Sequence, residues 1–150
     1  MRGWHFCIEE LPQCNPSDNR HWRHKPRDRV QWGILMRAAL GRQPRPKVPL
    51  EHAHVECVRY SSRQADFENL AVSFKLVIDL LQVDGKSNPG GLGLIVNDGP
   101  ASLTREYRWV QAPPKRGRIE ITLTERAQKG PEAPQNRASG VNPRRAGERE

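Results

Sequence analysis

The sequence predicts a small α/β (α+β) domain: a mixed β-sheet with helices on one face, in the order β-α-β-α-β-β, with a basic N-terminal loop and a disordered C-terminal tail. Three observations carry this. Apolar residues alternate at period two over residues 4 to 9 and 52 to 60. Helical spacing runs without a gap from Phe67 to Leu81, and two more alternating runs cover 102 to 110 and 118 to 125. An order of strand, helix, strand, helix and strands places helices against one side of a sheet.

The first strand is WHFCIE, residues 4 to 9, ended by Leu11-Pro12. The next twenty residues hold Asn15-Pro16-Ser17-Asp18-Asn19 and many charges and read as a long loop. From Val30 to Leu40, the positions Ile34, Leu35, Ala38 and Ala39 suit a short helix, stopped by Gly41 and the prolines Pro44, Pro46 and Pro49. HAHVECVRY, residues 52 to 60, alternates with Ala53, Val55, Cys57 and Arg59 on one face, the pattern of a strand. Phe67, Leu70, Ala71, Phe74, Val77, Ile78 and Leu81 then mark the core helix, with Asp66 placed to cap its start. Asp84 to Gly93 is a glycine-rich flexible turn, and Leu94-Ile95-Val96 a short strand before Asn97-Asp98-Gly99-Pro100. Residues 102 to 110 and 118 to 125 read as a hairpin across the basic connection Ala112 to Gly117. From Arg126 onward no periodicity remains, so the expected domain is 1 to 125 and the expected disordered basic tail 126 to 150.

A chain of 150 residues allows one core and one main site. Its formal charge is +8. Between Asn15 and Lys47 nine Lys/Arg face two acids, so +7 of that charge lies in one segment that also carries His21, His24, Trp22 and Trp32. Such an arm suits phosphate neutralisation and base stacking, with a solubilising surface or charged-lipid contact as the alternative. Trp22 and Trp32 are open to packing or stacking, whereas Trp4 and Trp109 read as packing residues. Cys7, Cys14 and Cys57 lack zinc or redox spacing and read as reduced thiols; His21, His24, His52 and His54 lack partners for a tetrahedral zinc set. No apolar run reaches the length of a membrane span and no signal sequence opens the chain, so a soluble cytoplasmic protein without membrane contact is expected.

Carboxylates cluster around the core helix. With about 100° per residue, Glu68, Lys75 and Asp79 fall within about 40° of one another on a straight helix, and Asp66 sits at its first turn. Carboxylates beside a lysine in a basic protein suit Mg²⁺, a hard cation that needs only two or three protein oxygens and leaves positions for water and phosphate. The plain alternative is a solvated helix face with a Lys75–Asp79 ion pair.

Asp66-Phe67-Glu68-Asn69-Leu70, then Ser73-Phe74-Lys75, Asp79-Leu80 and Asn97-Asp98, resembles the RusA family of Holliday junction resolvases, most closely its phage and prophage branch. Pro16-Ser17-Asp18-Asn19-Arg20 with Trp22 is similar to the family's Asn-Arg loop. Glu106-Tyr107-Arg108-Trp109 with Lys115-Arg116-Gly117-Arg118 is similar to its last hairpin, and the likeness spans about residues 5 to 125. The resemblance implies Asp66, Glu68 and Asp98 as metal-binding and catalytic carboxylates, Lys75 as the catalytic cation near the scissile phosphate, and further roles for Asp79 and Asn97. Glu68 stands where the family usually has aspartate, and Asn97 replaces one acid of the commoner pair. DNA contacts are implied for Asn19, Arg20, Trp22, Arg23, Lys25, Arg27, Arg29, Lys115 and Arg116. The expected protein is a Mg²⁺-dependent (alternatively Mn²⁺-dependent) endonuclease that nicks four-way junction DNA symmetrically in recombination and repair. It would act as a homodimer, because paired nicks need two sites about a two-fold axis. The rivals are a non-catalytic DNA- or RNA-binding protein with the same fold, and a basic module of a larger assembly.

Overall fold

The computed structural model describes residues 2–12 and 25–128. Its elements are β1 (Gly3–Ile8), α1 (Lys25–Leu40), β2 (Ala53–Ser61), α2 (Phe67–Ser73), α3 (Lys75–Leu81), β3 (Leu103–Gln111) and β4 (Arg118–Glu125). They form one mixed sheet of four strands in the spatial order β1-β4-β2-β3. Counting α2 and α3 as one interrupted helix, the chain order is β-α-β-α-β-β.

Alternation builds the sheet. Trp4, Phe6 and Ile8 of β1 and Ile119, Ile121 and Leu123 of β4 all turn to one face and are buried, together with Val55 and Cys57 of β2. Phe74, Val77, Leu80, Leu81, Trp32, Met36 and Leu40 from the helices close that face. The opposite face is polar, with Thr122 beside His5, Thr104 beside His54 and Glu56 beside Arg108. At the β1–β4 seam the Arg2 guanidinium holds the Glu125 carboxylate through two bonds of 2.9 Å and lowers it to about 2.

β1 ends the sheet on one side, and its edge is filled by a side chain. Gln43 accepts from the His5 amide at 3.0 Å and donates to the His5 carbonyl at 2.7 Å, the pair of bonds that a neighbouring strand would make. Trp4 anchors the same loop through its indole N–H to the Pro44 carbonyl at 2.7 Å.

Several expectations need correction. α1 starts at Lys25 rather than Val30: Pro26 sits in the first turn, where its missing N–H costs nothing, and Asp28 complements the helix dipole. Its buried stripe is Trp32, Met36 and Leu40, whereas Ile34 is 60% exposed. Trp32 therefore packs in the core. The core helix breaks at Phe74 (φ −90°, ψ −3°), where the Phe74 amide bonds to the Ala71 carbonyl in a tighter turn. Residues 94 to 96 form no strand: Ile95 makes only isolated bridges to Leu50 and Gln82. β3 and β4 are no hairpin, because β2 lies between them, parallel to β3 and antiparallel to β4. The connection 112 to 117 spans the end of β2 instead, with the Ala112 amide on the Ser61 carbonyl at 3.0 Å. Arg126 belongs to the sheet rather than to a tail, through its amide to the His52 carbonyl at 2.9 Å and its guanidinium to Thr104 at 3.1 Å. Residues 129 to 150 lie outside the described residues.

Candidate functional site

Parallel β2 and β3 require a crossover, and α2, α3 and the loop 82 to 102 supply it. Every acid of the sequence-derived cluster lies on this crossover. It begins at Asp66, whose extended backbone (φ −66°, ψ 166°) makes it the N-cap of α2. One carboxylate oxygen accepts from the Asn69 amide at 2.8 Å, the other from the Asn69 side chain at 3.1 Å. Glu68 is exposed in the first turn of α2.

The break at Phe74 interrupts the helix between Glu68 and Lys75. Lys75 and Asp79 remain four residues apart on α3, and Asp79 is half-buried. Burial pushes its carboxyl above the ordinary carboxylate range and the charge of Asp98 adds to this, while Lys75, Arg29 and Arg105 act in the opposite sense. Asp79 and Asp98 therefore share one neighbourhood. Asp98 is braced by Arg105, which bonds to its carbonyl oxygen and lies 3.5 Å from its carboxylate. Asn97 spends its side-chain oxygen on the Gly99 amide at 2.8 Å, shaping the turn into β3.

The raised carboxyl has a consequence for stability. A group whose folded pKa exceeds its unfolded value stabilises fully below the unfolded pKa and loses that contribution as pH rises through the folded one. Asp79→Asn is therefore expected to melt at a higher temperature than the wild type at pH 7, and the gap should close below the ordinary carboxylate range. Thermal melts across pH check this; a variant less stable at pH 7 would mean that the cations outweigh burial.

The glycine-rich segment is tied down rather than free. The Asn88 amide group donates to the carbonyls of Asp79 at 2.8 Å and Val83 at 3.1 Å, and its oxygen accepts from Arg29 at 2.6 Å. Arg29 also reaches the Pro89 carbonyl at 3.2 Å, and Arg37 the Gly90 carbonyl at 3.0 Å. Gly90 has φ +83°, and a Cβ on Gly91 would overlap the Gln82 carbonyl oxygen. α1 thereby fixes the loop that follows Asp79, and two arginines of the basic segment serve the fold as well as the surface.

The sequence-derived residues thus fall into separate groups. Asp79 feels the charges of Lys75 and Asp98; Asp66 is engaged with Asn69, and Glu68 faces solvent. Among the described residues no three His, Cys, Asp or Glu side chains gather where one ion could reach all of them, so Asp66, Glu68 and Asp98 form no three-ligand cage here. Arg27, Lys115 and Arg116 are exposed. Asn19, Arg20, Trp22 and Arg23 lie outside the described residues, as does the Lys25 side chain. Arg105 was not singled out by sequence reasoning. Its signal is an arginine in the inward phase of β3, between the buried Leu103 and the part-buried Tyr107.

Tyr107 organises the rest of the neighbourhood. It stacks on Phe74 at 5.9 Å between ring centroids and takes Phe67 edge-on at 6.2 Å. Phe67 nevertheless stays 70% exposed. No family model matches the chain, and no curated protein matches it. No helix of the described residues is long and apolar enough to cross a membrane.

Proposed function

We propose that this protein is a Mg²⁺-dependent endonuclease that resolves four-way DNA junctions by paired nicks, a RusA-like enzyme of the cytoplasm acting as a homodimer. The observation that carries this reading is the half-buried carboxyl of Asp79, which feels the charges of Lys75, Asp98 and Arg105, with Arg105 3.5 Å from the Asp98 carboxylate. A half-buried carboxylate whose ionisation is opposed by burial and by a second carboxylate gains from a divalent cation. Two carboxylates fit Mg²⁺, which keeps most of its waters and completes its shell with phosphate oxygens.

Asp79 and Asp98 would hold the ion. When bound, it supplies an activated water and neutralises charge on the phosphate. Lys75 and Arg105 place positive charge beside the acids, where a scissile phosphate would gather negative charge in the transition state. Asp66 and Glu68, which the resemblance puts at the metal, join this group only if Asp66 gives up its cap on Asn69. Exposed Arg27, Arg42, Arg45, Lys47, Lys115 and Arg116 offer phosphate contacts, so junction affinity should fall steeply with salt.

The second reading is a non-catalytic DNA- or RNA-binding protein of the same fold. It is favoured by the arginine already seated on Asp98 and by the lack of a three-ligand cage among the described residues. A labelled synthetic four-way junction separates the two. The nuclease is expected to nick it symmetrically with Mg²⁺ or Mn²⁺ and to slow when Asp98→Asn is made; a wild-type protein that binds the junction yet leaves it intact with both metals would establish the binder.

A further inference from the structure

β3 is the last strand of the sheet, and among the described residues no strand pairs with its outer edge. We propose that this edge docks a second copy of the chain, β3 against β3 antiparallel about a two-fold axis at Tyr107, joining two four-stranded sheets into one.

The order of charges along the strand argues for this occupant. Within one chain Glu106 lies directly opposite Glu56, a like-charge pair, while Arg108 gives its guanidinium to Glu56 at 2.7 Å. Among the described residues Glu106 has only His54, at 3.7 Å. Antiparallel pairing centred on Tyr107 sets Glu106 of each copy opposite Arg108 of the other, and Thr104 opposite Val110, all on the open sheet face. Moving the axis to residue 106 or 108 sets glutamate on glutamate or arginine on arginine. The sequence Thr104-Arg105-Glu106-Tyr107-Arg108-Trp109-Val110 is thus self-complementary in one register.

The other face of the strand adds a second argument. Phe67, 70% exposed, leans on Tyr107 at the centre of the proposed seam. The axis stands perpendicular to the sheet, so the helices of both copies share one side and their Phe67 rings approach the seam together. Burying these rings removes the large apolar surface that a single copy leaves in water. The docking rests on β3 and not on the nuclease reading; a dimer that cuts nothing would keep it.

Charge reversal tests it in the full-length chain. By light scattering after gel filtration at micromolar concentration, the wild type is expected at about twice its 17.1 kDa. Glu106→Arg alone and Arg108→Glu alone should each run at the mass of one chain. Mixed in equal amounts, they should return to twice that mass, because each then supplies the charges that the other lacks. The double reversal, which keeps opposite charges both within the chain and across the seam, should dimerise again and covers the case in which Arg108→Glu folds poorly beside Glu56. A single-chain wild type, a dimer indifferent to both reversals, or a double reversal that stays at one chain would each overturn the proposal.

Discussion

Asp98→Asn should cut four-way junctions at least about 100-fold more slowly than the wild type while binding them within a few-fold as tightly. The substitution keeps the shape of the side chain and the backbone carbonyl that receives Arg105, and removes only the charge. Loss of a negative charge near phosphate cannot weaken binding electrostatically, so the two readouts should part. Single-turnover cleavage and gel shifts at the same salt concentration measure them. Parallel losses of both would make Asp98 a brace for Arg105 rather than a catalytic group.

Phe74→Ala carries the largest expected effect on stability, a loss of about 3–5 kcal/mol in unfolding free energy. Phe74 is wholly buried at the break between α2 and α3 and stacks on Tyr107, so its removal leaves a cavity where helix and sheet meet. Phe74→Leu should recover most of the loss, because volume-conserving changes usually cost less than about 1.5 kcal/mol. Urea unfolding of the three proteins checks the order. A small effect for alanine would mean that α2 and α3 close over the gap, straightening the helix.

Local patterns were readable wherever burial falls on one face. The strands at 3 to 8, 53 to 61, 103 to 111 and 118 to 125 show their alternation in the sequence, and Asp66 announces its cap. What sequence spacing cannot convey is which strands meet. β3 and β4 follow each other through a proline-rich turn that looks like a hairpin, yet β2 lies between them and gives one edge to each. The site shows the same division. Lys75 and Asp79 share a turn and are legible together, whereas the approach of Asp98 and Arg105 depends on how the loop 82 to 102 returns. That loop is fixed by Arg29, Arg37 and Asn88, contacts between distant segments that no period reveals. The helix break at Phe74, between Glu68 and the lysine, is likewise invisible in the unbroken apolar spacing.

Gln43 gives the sheet a direction of growth. With the amide and carbonyl of His5 already satisfied by one side chain, the β1 border is blunted against incoming strands, whereas the proposed docking uses the β3 border. A molecule with a single sticky border can add one neighbour and then has none left, so pairing by this route terminates at two. Gln43→Ala would free the amide and carbonyl of His5 and leave the Trp4 bond to the Pro44 carbonyl as the guard of that border, weakening the device that keeps such pairing finite.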